Sequence, residues 1–214
     1  MLLEEQRRIV IEIALRAQKM GLILQTFGNF SLRDKKTGYI CITPSGLNYQ
    51  FLEPQDIVVI DLMGKVIEGD RKPSVETPLH CRIHQKRADI FGICHTHSTF
   101  ATAWASCEEK MPVIVAELAT LVGNGVDTAP YRPIGSNELA EVTADVLADK
   151  AAVLLANHGL VAVGQDLEHA LGNALVVEES AKITFYARNI GKVKEISPSE
   201  CESIKDWAKG NYGK

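Results

Sequence analysis

The 214-residue chain lacks the features that mark membrane, secreted and nucleic-acid-binding proteins. No apolar run approaches the roughly 18–20 residues that span a bilayer. The N-terminus MLLEEQRRIV has no basic segment followed by an apolar core, so we expect no signal peptide. Basic residues are not in excess, since 23 Lys and Arg stand against 27 Asp and Glu and the net charge is −4. This balance argues against a general nucleic-acid binder.

Internal repeats, low-complexity tracts and Pro/Ser-rich linkers are also missing. Cysteine is sparse, with five copies and no CxxC pair, which argues against a disulfide framework and favours a reduced, cytoplasmic setting. Hydrophobic residues make up 46% of the chain and charged residues 23%, a normal globular balance. We therefore expect one globular domain over residues 1–214.

The hydrophobic pattern alternates between helical spacing and period two. Several predicted strands follow one another through short turns, which indicates a mixed or mainly antiparallel sheet with helices on its faces. The fold class is therefore α/β. The predicted strands are 29–33, 39–42, 56–61, 66–67, 90–94, 113–115, 151–156 and 160–164. The predicted helices are 3–20, 73–87, 98–107, 136–148 and 166–189, followed by a short one near the C-terminus.

Histidine is scarce, with six copies, and four of them form two pairs with metal-ligand spacing. His95 and His97 stand two apart just after an apolar strand, so both imidazoles point to one face of the sheet. His80 and His84 stand four apart on a predicted helix, which also places two imidazoles on one face. Either pair alone is more often held by backbone groups or solvent.

The His95 and His97 pair gains a third candidate in His158, which stands in an Asn-His-Gly turn after another apolar strand. Three imidazoles on strand ends would form a catalytic zinc site with one position open for substrate or water. The helical pair His80 and His84 has no evident third partner, so we do not interpret it as a metal site.

Glu76 stands in KPSVETP, in the first turn of a predicted helix. Its carboxylate is either favoured there by the helix dipole, worth up to about 1 kcal/mol, or it is a general acid/base beside the metal. The residue alone does not decide between these roles.

Small polar residues in turns form a second candidate group. Turns with free backbone N–H groups can cradle a phosphate, as helix N-termini do. Each residue is more often only part of a turn, and the set gains weight because its members occur together. The candidates are Gly28, Asn29, Ser45, Gly46 and Ser74.

Seven short motifs run through nearly the whole chain in a specific order. They are TFGNFS (26–31), ITPSG (42–46), KPSVET (72–77), HTHS (95–98), APY (129–131), LLANHGL (154–160) and NYG (211–213). In these motifs the chain resembles the class II aldolase/epimerase family, which includes L-fuculose-1-phosphate aldolase and L-ribulose-5-phosphate 4-epimerase. The resemblance is strongest to the fuculose-phosphate aldolases.

The resemblance implies one Zn²⁺ per chain, held by His95, His97 and His158, with Glu76 as the acid/base. It also implies that the turn residues named above bind the substrate phosphate. The family's fold is a three-layer α/β/α sandwich, and its assembly is a homotetramer with four-fold symmetry and active sites between subunits. The implied partner is therefore a phosphorylated ketose, with no nucleic acid and no membrane.

The chain resembles the aldolases in having glutamate at position 76, whereas the ribulose-phosphate epimerases have aspartate there. The resemblance thus implies a lyase that cleaves a small ketose 1-phosphate to dihydroxyacetone phosphate and an aldehyde. The alternatives are a sugar-phosphate 4-epimerase or a methylthioribulose-1-phosphate dehydratase on the same scaffold. A non-catalytic module similar to the adducin head domain is a remote alternative, because that domain has lost the metal ligands.

Two positions depart from the fuculose-phosphate aldolase pattern, and a third residue, His84, matches none of the family's ligands. Val75 replaces a second serine of the phosphate site. Ala116 stands where the fuculose-phosphate aldolase has a tyrosine, which in that enzyme is supplied by the neighbouring subunit. The adjacent Glu117 is therefore the candidate for proton transfer. Tyr212, near the C-terminus, is the candidate that closes the aldehyde side across a subunit boundary. These departures leave the sugar and its aldehyde half open.

Overall fold

The computed structural model describes residues 1–107 and 110–211. Within these ranges eight strands form one sheet and seven α-helices cover it. The strands are β1 Gly28–Arg33, β2 Ile40–Ile42, β3 Val58–Ile60, β4 Val66–Glu68, β5 Gly92–Thr96, β6 Thr128–Ala129, β7 Ala152–Leu155 and β8 Gly159–Gly164. The helices are α1 Glu4–Lys19, α2 Thr77–Lys86, α3 Thr99–Ala105, α4 Ala116–Leu121, α5 Asn137–Leu147, α6 Leu167–Ile190 and α7 Pro198–Asn211.

The strand order is β4-β3-β2-β1-β5-β8-β7-β6. All neighbours in this part of the chain pair antiparallel except β6 and β7, which are parallel. The sheet is therefore mainly antiparallel, and that prediction is confirmed. Its centre is formed by β1, β5 and β8, whose strands come from distant parts of the sequence.

Alternation along the central strands produces the three layers. Cys94 of β5 faces the core formed with α1, α3 and α6, whereas its neighbour Ile93 faces the core formed with α2 and α5. On β8, Leu160 and Val161 divide between the two faces in the same way. Successive strand residues point to opposite faces, so each face of the sheet buries its own apolar set under helices. The predicted α/β/α sandwich is confirmed.

Two helix starts are closed by side chains that the sequence provides. Asp166 accepts a hydrogen bond from the His169 N–H at the start of α6, and Ser136 accepts one from the Leu139 N–H at the start of α5. Such caps satisfy backbone donors that have no partner within the helix. None of the helices in the described ranges is both long and apolar enough to cross a membrane.

Two strand assignments made from the sequence need correction. Residues 113–115 are not a strand: the Val113 carbonyl accepts from the Ile196 N–H, so the segment binds the chain that precedes α7 and not the sheet. The strand predicted over 90–94 is β5, Gly92–Thr96, so His95 lies inside the strand and not after it. The helix predicted near the C-terminus, α7, is longer than expected, with 14 residues.

Candidate metal centre and active site

Three histidines converge at one end of the central strands. His95 lies on β5, His97 follows that strand by one residue, and His158 lies in the turn between β7 and β8. The ring centroids are 4.8 Å apart for His95 and His97, 4.8 Å for His95 and His158, and 4.9 Å for His97 and His158. The Nε2 atoms of His95 and His97 are 3.0 Å apart. The three imidazoles therefore lie together, as expected from the sequence.

Glu76 completes the group from the helical layer. It is the residue before α2, and only 3% of it is exposed. Its Oε2 atom lies 3.0 Å from His95 Nε2, and its Oε1 atom lies 3.5 Å from His158 Nε2. The ligand atoms of Glu76 and the three histidines all lie within 4.8 Å of one another.

The charges in this group depend on burial and on the carboxylate. Burial lowers the pKa of His97 to about 3 and that of His158 to about 4, with His95 adding to the effect, so both imidazoles are neutral and keep a lone pair. Burial also opposes the charge on His95, but the adjacent Glu76 carboxylate raises the pKa of His95 above its usual value. Burial alone would raise the pKa of Glu76, and His95 and His158 together hold it well below its usual range.

The donor set fits a divalent metal. The His95 Nδ1–H donates to the Leu160 carbonyl at 3.0 Å, which directs the other ring nitrogen into the group. Among the described residues, Glu76 Oε1 and His158 Nδ1 are buried polar atoms without a hydrogen-bond partner. Three imidazoles with a free position are the ligand set of catalytic zinc sites. His95, His97 and His158 are thus suited to hold a divalent ion. The ion would replace the proton that lies between His95 Nε2 and the Glu76 carboxylate.

The candidate phosphate residues lie on three segments next to this group. Gly28 and Asn29 begin β1, which pairs with β5 so that Asn29 is opposite His95. The Ser45–Gly46 turn and the segment before α2 are joined by hydrogen bonds from the Ser45 N–H to the Lys72 carbonyl and from the Ser74 N–H to the Thr43 carbonyl. The structure thus brings the Ser45 and Ser74 segments side by side.

Not all of the predicted phosphate-binding residues have a free backbone N–H group. The backbone N–H groups of Ser45 and Ser74 are already used, and the Ser74 hydroxyl oxygen accepts from the Glu76 N–H at 3.2 Å. Within the described residues, the N–H groups of Gly46 and Val75 have no acceptor. Gly46 is exposed and half of Val75 is exposed, so both are candidates to donate a backbone N–H to a ligand.

Gly28 is required where β1 approaches β5. Its φ is +114°, and a Cβ atom built there would lie 2.7 Å from the His95 carbonyl oxygen and 2.8 Å from Ile23 Cγ2. Only glycine combines this backbone conformation with so close an approach. The residue therefore sets the spacing between Asn29 and the metal-binding strand.

Two contacts of the site were not predicted from the sequence. Phe27 stacks on His97, with ring centroids 6.0 Å apart and planes at 14°. His80, which together with His84 we did not interpret as a metal site, is fully buried and hydrogen-bonded to Asn29 and Ser31. Its position four residues after Glu76 was the available signal, because that spacing places both on one face of a helix.

One predicted catalytic residue, Glu117, is not brought into the group. Glu117 is exposed in the first turn of α4, a helix that packs against α6 and α7, and it is not one of the four clustered residues. The prediction that it follows a strand is wrong, since residues 113–115 are irregular. Tyr212 lies outside the described residues.

Comparison with known proteins defines the family. The family described as Class II Aldolase and Adducin N-terminal domain matches residues 8–185 of the chain. The chain belongs to this family, and its fold and the clustered histidines agree with that assignment. The family prediction made from the motifs is confirmed.

Named relatives narrow the class. The chain is 37% identical over 213 residues to a 5-deoxy-D-ribulose 1-phosphate aldolase of Bacillus thuringiensis serovar kurstaki, which covers 100% of this chain and 99% of that protein. It is 36% identical over 163 residues to an L-fuculose phosphate aldolase of Methanococcus maripaludis, covering 76% and 87%. A solved L-fuculose 1-phosphate aldolase superposes with a TM-score of 0.93 at 35% identity and covers 96% of each chain. The chain is therefore a class II aldolase of the fuculose-phosphate aldolase type, and the prediction of an aldehyde-lyase is confirmed.

Proposed function

We propose that this chain is a zinc-dependent aldolase that cleaves a small ketose 1-phosphate to dihydroxyacetone phosphate and an aldehyde. The observation that carries the proposal is the meeting of three imidazoles and the buried Glu76 carboxylate, with Asn29 and the Ser45 and Ser74 segments beside them. This grouping supports a site that combines metal binding, proton transfer and phosphate binding.

In the cleavage direction the bond between C3 and C4 breaks and its electron pair remains on C3. His95, His97 and His158 would hold the ion, which when bound would supply a Lewis acid for the negative charge that develops on the substrate. The Glu76 carboxylate beside the histidine group takes a proton from water and passes it to C3. A base on the aldehyde side takes the C4 hydroxyl proton and returns it to water, which balances the reaction.

The phosphate group supplies much of the binding energy and fixes the ketose in register with the metal. Ser45, the open N–H groups of Gly46 and Val75, and the second N–H of the Asn29 amide are the donors that we assign to it, with Ser74 beside them. Phosphate accepts charge-assisted hydrogen bonds, which are stronger than neutral ones. The backbone donor at position 75 remains although its side chain is not serine.

The relatives' names support the proposed substrate class. One relative is named for 5-deoxy-D-ribulose 1-phosphate and another for L-fuculose phosphate. Both are ketoses whose cleavage beside C3 leaves a short aldehyde. We therefore propose a ketose 1-phosphate of five or six carbons with a deoxy terminus, processed in the cytoplasm.

The aldehyde side is completed by a neighbouring subunit in our proposal. Glu117 is exposed and apart from the histidine group of its own chain, which is the position expected of a residue that serves an adjacent site. We propose a homotetramer in which Glu117 and Tyr212 of one subunit reach the site of the next. One of them closes the aldehyde side and the other moves a proton.

A panel of ketose 1-phosphates tests the function. The zinc-loaded protein is incubated with the 1-phosphates of 5-deoxyribulose, fuculose and methylthioribulose and with ribulose 5-phosphate. Dihydroxyacetone phosphate is detected by coupled reduction with NADH, and NMR identifies the second product. The matched control is the His97→Ala variant, which removes one candidate ligand and which we expect to retain the fold.

We expect dihydroxyacetone phosphate and an aldehyde from at least one ketose 1-phosphate, with no turnover by His97→Ala. An inverted stereocentre or loss of water without carbon–carbon cleavage would assign the chain to the epimerases or dehydratases. A purified protein that holds no divalent metal and turns over none of the panel would place it with the non-catalytic adducin-like modules. Each of these results overturns the aldolase proposal.

A further inference from the structure

A continuous chain of buried hydrogen bonds runs from Glu76 into the helical layer. The Asn29 Nδ2–H donates to Glu76 Oε2 at 2.8 Å. The Asn29 Oδ1 atom lies 2.5 Å from His80 Nε2, and His80 Nδ1 lies 2.7 Å from the Ser31 hydroxyl oxygen. At most 5% of any of these four residues is exposed.

The chemistry of the four groups determines which atom donates in each of these hydrogen bonds. A carboxylate only accepts hydrogen bonds, so the amide of Asn29 must turn its NH₂ towards Glu76 and its oxygen towards His80. The His80 Nε2 atom must therefore carry a hydrogen. Burial lowers the pKa of His80 to about 3, so the imidazole is neutral and its Nδ1 accepts from the Ser31 hydroxyl. One tautomer of His80 and one orientation of the Asn29 amide satisfy the hydrogen bonds from Glu76 to Ser31.

Secondary structure aligns these groups. Asn29 and Ser31 are two apart on β1 and point to the same face of the sheet. His80 lies one helical turn after Glu76, so both face that strand from α2. The hydrogen-bonded chain thus joins the start of α2 to the strand that pairs with His95.

His84 is the natural comparison for His80. It is on the same helix, is 1% exposed and contacts Ser31 at 3.3 Å, but it makes no hydrogen bond to Asn29. Its other nitrogen faces the Ile90 carbonyl at 3.3 Å. Loss of either imidazole removes a buried polar group from α2, whereas only His80 contacts the Asn29 amide that donates to Glu76.

We propose that His80 is a positioning residue that holds the Glu76 carboxylate in place through the Asn29 amide. Without the His80 donor, the Asn29 amide is free to turn its oxygen towards Glu76. The hydrogen bond from Asn29 to Glu76 would then be replaced by repulsion between two oxygen atoms. The second Asn29 N–H, assigned above to phosphate, would move with the amide. The inference rests on the proposed function for its kinetic consequence, and on the hydrogen-bond geometry alone for the tautomer.

The kinetic test compares three variants of the zinc-loaded protein. His80→Leu removes the donor, His80→Gln retains an N–H near the position of Nε2, and His84→Leu is the matched buried control. We expect His80→Leu to lower kcat by about 10²-fold, the effect of misplacing a catalytic group by about 1 Å, with a smaller rise in KM and unchanged zinc content. We expect His80→Gln to recover most of kcat. We expect His84→Leu to lower thermal stability while kcat stays close to that of the wild type.

Equal losses of kcat in His80→Leu and His84→Leu would show that both are only structural and would overturn the inference. So would full activity in His80→Leu. If His80→Leu does not fold, an inactive but folded and zinc-loaded His80→Gln gives the same negative answer, because the donor alone is then not sufficient.

A second measurement does not depend on turnover. NMR of the imidazole nitrogens in the wild-type protein reports the tautomer of each histidine, assigned with His80→Gln. We expect His80 neutral with its hydrogen on Nε2, and a hydrogen on Nδ1 would overturn the inference. A wild-type protein that cleaves no ketose phosphate but shows the Nε2–H tautomer would reject the proposed function while leaving the hydrogen-bonded chain in place.

Discussion

Phe27 lies almost parallel to the imidazole of His97, with planes at 14° and centroids 6.0 Å apart. More than half of Phe27 is exposed, so this aromatic ring stands at the open side of the histidine group. Outer partners of a metal ligand fix its orientation and so tune the affinity of the site. The stack covers one face of the His97 ring and restricts its rotation.

We expect Phe27→Ala to weaken metal binding. Aromatic pairs contribute about 0.5–1.5 kcal/mol, so the dissociation constant for zinc should rise about 2- to 12-fold. Competition with a zinc-binding dye measures it. Phe51→Ala is the control, because Phe51 is 78% exposed and lies outside the histidine group. An equal change in the two variants would mean that the stack does not support His97.

Replacing Glu76 by glutamine preserves the shape of the side chain and removes its basic oxygen. We expect Glu76→Gln to retain zinc and to lose about 10²–10⁴-fold in kcat, the usual contribution of a general acid/base. Steady-state kinetics and metal analysis of the same preparation test both parts. A loss below roughly tenfold, less than that range, would assign the proton transfer to another group.

The close approach of β1 to β5 predicts a large stability cost for Gly28→Ala. The positive φ alone costs about 1–3 kcal/mol, and the new Cβ would also press on the His95 carbonyl at 2.7 Å. Gly21→Ala is the matched control, since Gly21 has φ +76° and no atom within 4 Å of its Cβ position. Urea unfolding should show the larger loss for Gly28→Ala. Similar losses would mean that β1 can move away from β5.

Ser45 offers the cleanest test of the phosphate site, because Asn29 also binds Glu76. A hydrogen bond to a charged group contributes about 1.5–3 kcal/mol, so Ser45→Ala should raise KM for a ketose 1-phosphate by about tenfold or more. The unphosphorylated ketose is the internal control and should show no such change. Parallel shifts for both substrates would indicate that Ser45 only shapes the turn.

A shared active site predicts complementation between inactive chains. Glu76→Gln subunits mixed with Glu117→Gln subunits should regain partial activity, since some interfaces then pair an intact Glu76 with an intact Glu117. Light scattering establishes the oligomer, and tagged subunits establish exchange. Mixed oligomers without recovered activity would place Glu117 outside the neighbouring site.

The convergence of the three histidines could be predicted from the sequence because the signal is local or nearly so. His95 and His97 share a strand face by their spacing, and His158 follows a second apolar strand before a glycine. Glu76 became specific only through the family resemblance. Where the prediction failed, the information was not local: residues 113–115 are apolar and strand-like, but their polar backbone binds the chain near Ile196.

The role of His80 could not be derived in the same way. Its spacing to His84 is that of a metal pair, and nothing in the local sequence reveals that Asn29 and Ser31 lie opposite it. That contact depends on the packing of α2 against β1, which joins residues about fifty positions apart. Phe27 was missed for a related reason, because a stack on His97 requires the turn before β1 to fold over the end of β5.

The order of strands across the sheet also governs how the protein is made. β5, Gly92–Thr96, pairs on one side with β8, Gly159–Gly164, whose last residue is synthesised 68 positions later (164 − 96). At about 5–20 residues per second, the ribosome needs roughly 3–14 seconds to supply that partner. For most of that time His158 has not been made, and His95 and His97 lie beside an unpaired strand edge. A nascent chain that stops before His158 therefore exposes that edge and has only two of the three candidate metal ligands.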